Sequence, residues 1–212
     1  MICINAVGFG LAVLVTNKIK GANLARTVFF MPNLIGGILL GFTWQFIFVS
    51  IFEAIGKNTG MTWLQGWLSD QKTGFIGMLI VLTWQLAGYM MIIYIAGIQN
   101  IPGELIEAAK MDGANNWQLL KKVTIPMVMP SITICTFLTL TNSFKLFDQN
   151  LALTAGEPSN NSQMLALNIF DTFYGRNGWE GVGQAKAVIF FIIVAVIALA
   201  QNRLTRSKEV QQ

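Results

Sequence analysis

Apolar residues in this chain come in long unbroken runs, not at the spacing of one buried helix face or the alternation of a half-buried strand. The runs cover residues 2–16, 28–50, 75–98, 127–144 and 184–202. A helix rises about 1.5 Å per residue, so run 28–50 gives roughly 35 Å, enough to cross a bilayer with some tilt. Run 2–16 falls short of the roughly 20 residues that a crossing needs and reads as a partial span. No basic stretch precedes it and no small-residue cleavage site follows, so a cleavable leader is not expected from this run. The expectation is an N-terminally truncated chain that starts part-way through a helix. The pattern predicts an all-α polytopic membrane protein with about five transmembrane segments, the first one partial, in a single transmembrane domain over 1–212.

Composition narrows the class. Charged residues make up 11% of the 212 residues and hydrophobic ones 54%, whereas soluble domains average about 25% charged. The chain has no histidine, which rules out histidine-based catalysis and His-ligated metal; neither a metal nor a cofactor is expected. No pair of carboxylates lies within a span, which argues against an intramembrane enzyme. The scarcity of carboxylates there also disfavours an ion-coupled secondary transporter, the alternative reading. Cys3 and Cys135 both sit in apolar runs and read as buried, inert thiols.

Charge sets an expected orientation. Loops 17–27, 99–125 and 203–212 hold nine basic residues: Lys18, Lys20, Arg26, Lys110, Lys121, Lys122, Arg203, Arg206 and Lys208. Loops 51–74 and 145–183 hold four: Lys57, Lys72, Lys145 and Arg176. Basic residues mark the cytoplasmic side, so the first set is expected there, and the net charge of +4 is no sign of nucleic-acid binding. Trp63 and Trp67 suit a membrane interface. Lys186, near the outer end of the last run, is expected to snorkel to that interface.

One polar, helix-forming insert interrupts the apolar pattern at 101–126. Pro102 fits a first helical turn, where its missing N–H costs nothing. Glu104 and Glu107 lie near the start, where negative charge suits the helix dipole. Leu105, Ala108 and Ala109 share a face, and Gly113 is a natural left-handed stop. A second short helix is expected over 116–123, with Lys121 and Lys122 in its last turn and Pro126 beyond its end.

These residues carry a resemblance. Glu107-Ala108-Ala109, three residues, Gly113, nine residues and Val123-Thr124-Ile125-Pro126 resemble the EAA loop of ABC-importer permeases, with Val123 and Ile125 as conservative departures. Arg26-Thr27-Val28-Phe29-Phe30-Met31-Pro32 is similar to the entry motif of the sugar-permease branch. Trp84-Gln85 with Gly88, Ala96 to Pro102, and Phe147-Asp148 followed by Thr154-Ala155-Gly156-Glu157-Pro158 resemble further stretches of it. Ala155 and Glu157 replace glycines in the last. The resemblance implies a type I (MetI-like) permease fold in a prokaryotic cytoplasmic membrane. It also implies a second permease subunit, cytoplasmic ABC ATPase subunits, an extracytoplasmic solute-binding protein and a carbohydrate solute. Loop 99–126 would be cytoplasmic, like the C-terminus. Glu104, Glu107, Ala108, Ala109, Asp112, Gly113 and Pro126 would form the contact to the ATPase.

Polar groups inside spans need partners and often line a path. Gln45, Trp84 and Gln85 are candidates for hydrogen bonding and stacking with a sugar, and serve equally well as helix–helix glue. Thr133, Thr136, Thr139 and Asn142 follow at steps of three. Asn142, Phe147 and Asp148 mark the outer end of that run and complete the expected solute path.

Overall fold

The computed structural model describes residues 1–16 and 21–206. Lys18, Lys20 and Lys208 therefore lie outside the described residues. The described chain is helical throughout its ordered elements. α1 is Ile2–Thr16, α2 Ala22–Phe30 and α3 Gly37–Thr59. α4 is Gln71–Gln99, α5 Gly103–Met111, α6 Asn116–Met127 and α7 Met129–Phe144. α8 is Asp148–Leu153, α9 Leu165–Tyr174 and α10 Glu180–Arg206.

Three of these, α3, α4 and α10, are long and apolar enough to cross a membrane. α6 and α7 together pass the same test, bent by 69° at the break between them, and α1 is a shorter apolar helix. Helices thus fall on all five apolar runs, of which three, or four with the bent pair, are long and apolar enough to span. Over its most apolar window α4 is 56% buried, against 17% for α3 and 11% for α10. The outward apolar side chains of α3 and α10 are what a lipid or protein neighbour would cover.

The boundaries depart from expectation in four places. Run 28–50 is not one helix. A 3₁₀ turn at Met31–Leu34 and an extended Gly36 separate α2 from α3; Pro32 cannot donate in a helical ladder. α3 then continues past Ser50 to Thr59, through a π-helical stretch at Ile47–Ile51. Its last turns gain a Glu53–Lys57 ion pair at 3.0 Å, four residues apart. Polar region 145–183, expected as a loop, holds α8 and α9. Pro126 does not lie beyond its helix but within α6, next to the π-helical stretch Leu120–Thr124; the bend falls at Val128, and Pro130 opens α7, where no N–H is required.

The chain divides into two compact units. The first comprises residues 1–33, 85–141 and 196–212, the second 34–84 and 142–195. In the first, α1, α4 and α7 share a part-buried polar relay. Tyr94 donates to Asn5 Oδ1 at 2.7 Å, Asn5 Nδ2 donates to Thr139 Oγ1 at 2.8 Å, and Thr139 donates to the Cys135 carbonyl at 2.7 Å. Thr133 and Thr139 are buried, so the threonine run of α7 works as packing and glue. Cys135 is buried as expected, but Cys3 is exposed. Gly88 brings α4 onto α2: a Cβ there would meet the backbone of Phe29 and Phe30.

In the second unit α3 packs on α8 through small residues. A Cβ on Gly37 would come within 2.7 Å of Asp148 Cβ, and one on Gly41 within 2.6 Å of Ala152 Cβ. Glycines four apart let two helices approach backbone to backbone. Asn150 on α8 is fully buried. Its amide donates to Thr154 Oγ1 at 3.0 Å and to the Ser162 carbonyl at 2.9 Å, and its Oδ1 accepts from Met164 N–H at 2.8 Å. One side chain thus ties the loop after α8 to the start of α9. Trp63 is exposed, whereas Trp67 stacks on Phe48 with centroids 5.0 Å apart, so it packs within the unit.

Candidate functional site

The polar insert forms a helical hairpin whose ends are fixed by its own residues. Pro102 is extended and caps α5, with Leu105 N–H returning to the Pro102 carbonyl at 3.1 Å. At the far end Gly113 has φ +79. Gly113 N–H reaches the Lys110 carbonyl and Ala114 N–H reaches the Ala109 carbonyl, both at 3.0 Å. This is a Schellman closure, which needs the left-handed geometry that glycine adopts freely. Asn115 then starts α6 with a reciprocal capping box: its side chain accepts from Gln118 N–H and Gln118 accepts from Asn115 N–H, each at 2.9 Å. The Asn115/Gln118 spacing is a readable signal that the sequence reading passed over.

The two faces of α5 differ. Glu104, Glu107, Ala108, Met111 and Asp112 are exposed, and α5 has no buried residue. Met111 is 87% exposed. Ile106 and Ala109 are half-buried and turned inward, so Ala109 backs the helix while Ala108 faces out. Pro126 is half-buried on α6. Among the described residues the only ion pair is Glu53–Lys57, which leaves the Glu104, Glu107 and Asp112 carboxylates without a basic partner. Three acids, a slim alanine and an apolar methionine on one rigid face suit a protein surface with basic donors and an apolar recess.

The expected solute-path residues divide between the units. Gln45, Trp84, Asn142, Phe147 and Asp148 belong to the second and buried Gln85 to the first. Gln45 donates to the Leu153 carbonyl at 3.2 Å, fastening α3 to α8. Trp84 is 45% exposed and meets Trp44 edge-on at 5.5 Å. Asp148 is exposed in the first turn of α8, with its Cβ side against Gly37. Asn142 is half-buried in the second unit near the end of α7. Phe147 lies 5.1 Å from Phe170 and lines a cavity of about 380 Å³ with Phe173, Tyr174 and Gln184.

Two features of this unit were not foreseen. Lys186 does not snorkel freely; its ammonium donates to Asn168 Oδ1 and Thr172 Oγ1, both at 2.8 Å, fastening α9 to α10. Asn168 in turn donates to Gln163, which bonds Asp171. The Asn150 hub is the second, since nothing in the sequence separates it from other loop asparagines. Among the described residues no cluster of three His, Cys, Asp or Glu side chains could hold a metal ion.

Comparison with known proteins gives a consistent picture. The family described as binding-protein-dependent transport system inner membrane component matches residues 4–210. A probable starch degradation products transport system permease protein, AmyD, of Thermoanaerobacterium thermosulfurigenes is 54% identical over 211 residues, covering 100% of this chain and 72% of the relative. The multiple sugar-binding transport system permease protein MsmF of Streptococcus mutans is 32% identical over 194 residues, 91% of this chain and 67% of the relative. Among solved structures, a bacterial alginate ABC transporter in complex with alginate pentasaccharide-bound periplasmic protein aligns with a TM-score of 0.81 at 18% identity. The alignment covers 96% of this chain and 72% of that one, a likeness of fold.

Proposed function

The chain belongs to the binding-protein-dependent transport system inner membrane component family, and on that premise we propose that it is a permease subunit of an ABC importer for carbohydrate, driven through α5. Family membership sets aside the secondary-transporter alternative. The subunit is a translocation component, not an enzyme. ATP hydrolysis belongs to ATPase partners, as the chain carries no phosphate-cradling GxxxxGK[ST] loop. A second permease subunit completes the membrane part, and a binding protein delivers solute. The relatives' names support sugars, and glucose oligomers of the kind released from starch are the first class to test.

The exposed, acid-bearing face of α5 carries the coupling reading. A helix that transmits force must be short, rigid and tied at both ends. Pro102, the Schellman closure at Gly113 and the Asn115 box supply the ties, and Glu104, Glu107, Ala108, Met111 and Asp112 supply the contact. Ala109 and Pro126 back the hairpin from within. The excess of basic residues in loops 17–27, 99–125 and 203–212 supports placing hairpin and C-terminus in the cytoplasm, within reach of an ATPase. Gln45, Trp84, Gln85, Asn142, Phe147 and Asp148 are assigned to the solute path; the bond from Gln45 to Leu153 gives that residue a structural share as well.

Co-purification tests the coupling surface. The chain is expressed with its partner permease and ATPase, as wild type and as Glu107→Lys. Wild type is expected to retain the ATPase in detergent and the variant to lose most of it, with membrane insertion unchanged. Equal retention by both would remove α5 from the contact.

A further inference from the structure

Behind the hairpin, within the first unit, lies a cleft of about 680 Å³. Val13 and Thr16 at the end of α1, Ile98 at the end of α4 and the inward residues Ile106 and Leu120 form its walls, and Lys110 and Trp117 also line it. Its volume falls in the range of small-molecule pockets, roughly 300–1,000 Å³. α4, long and apolar enough to cross a membrane, ends here at Gln99, which suits a cleft at the level where headgroups begin. Trp117 is 69% exposed, and an exposed tryptophan at that depth is the mark of an interface. Lys110 is exposed and has no carboxylate partner among the described residues.

An apolar recess lined by an ammonium that is unpaired among the described residues is complementary to a molecule with a hydrocarbon body and an anionic head. We propose that the cleft holds part of one anionic glycerophospholipid from the surrounding membrane, one of its two acyl chains against Val13, Ile98, Ile106 and Leu120 and its phosphate on Lys110, with the second chain left in the bilayer. Thr16, Asn116 and Thr124 line the same cleft and offer polar groups to the glycerol region. Such a lipid touches the inner face of α5, opposite Glu104, Glu107 and Met111, and steadies the hairpin from behind. The inference rests on membrane embedding, not on the coupling reading, because lipid binding is measured without any ATPase.

The full-length chain is exchanged between nanodiscs of phosphatidylglycerol and of phosphatidylcholine, released into detergent, and its retained lipid counted by native mass spectrometry. Wild type is expected to keep one phosphatidylglycerol in preference to phosphatidylcholine. Lys110→Gln should lower that retention about fivefold, the weight of one lysine near an anionic headgroup. Lys122→Gln, an equal change of charge on an exposed residue outside the cleft lining, should leave it unchanged. Retention of both lipids alike, retention of neither, or equal losses in the two variants would overturn the site.

Discussion

Gly88 is the position where one added methyl group should do most harm. A Cβ there would lie 2.9 Å from Phe30 N and nearer still to the carbonyl of Phe29. Contacts below 3.0 Å essentially never occur at a real Cβ. The obstacles are main-chain atoms at the end of α2, so no rotamer change relieves the overlap; the helices must separate. Overpacking costs about 1–3 kcal/mol, and a backbone obstacle places Gly88→Ala at the upper end, about 3 kcal/mol. That lowers the folded-to-unfolded ratio by roughly 100-fold. By the scaling for chains of this length, the melting temperature should fall by about 6–12 °C. Gly10→Ala is the control: it lies in α1 with nothing within 4 Å of its added Cβ, and replacing a helical glycine there should be neutral or gain about 0.5–1 kcal/mol. Thermal denaturation in detergent, followed by fluorescence-detected size exclusion, separates the two. A Gly88→Ala protein melting within about 2 °C of wild type would refute the close approach of α2 and α4.

Two further changes probe the second unit. Ala155 has φ +49, a left-handed conformation that costs a residue with a Cβ about 1–2 kcal/mol, so Ala155→Gly should raise the melting temperature by a few degrees; a fall would mean that the turn is not strained. Asn150→Ala should lower stability by about 2–3 kcal/mol, because it leaves the half-buried Met164 N–H and the buried Ser162 carbonyl without their partner; limited proteolysis should then open the segment between α8 and α9, and unchanged resistance would count against the hub.

The spans were readable because long apolar runs have few alternatives: residues 75–98 or 184–202 cannot be left in water. The ends of α5 were readable for a related reason, since Pro102 and Gly113 act through their own backbone restrictions. Hydropathy alone could not place the break between α2 and α3, because run 28–50 stays apolar through it; Pro32 with Gly36 and Gly37 was the available signal. The Gly88 contact was visible only as a resemblance of motifs, since which backbone a glycine meets depends on packing between segments distant in sequence. The partners of Asn150 and Lys186 were illegible for the same reason. Grouping Leu105, Ala108 and Ala109 on one face concealed that Leu105 and Ala108 are exposed while Ala109 is half-buried.

The central claim is that α5 is a rigid coupling element held by the closure at Gly113. ATPase capture by wild type, Gly113→Ala and Gly113→Pro measures it most directly. Proline fixes φ near −65° and has no N–H, so Gly113→Pro removes both the left-handed geometry and the bond to Lys110. Wild type is expected to capture the ATPase fully, Gly113→Ala to lose part of it, and Gly113→Pro to capture none although it still inserts in the membrane. Capture by Gly113→Pro at the wild-type level would contradict the claim.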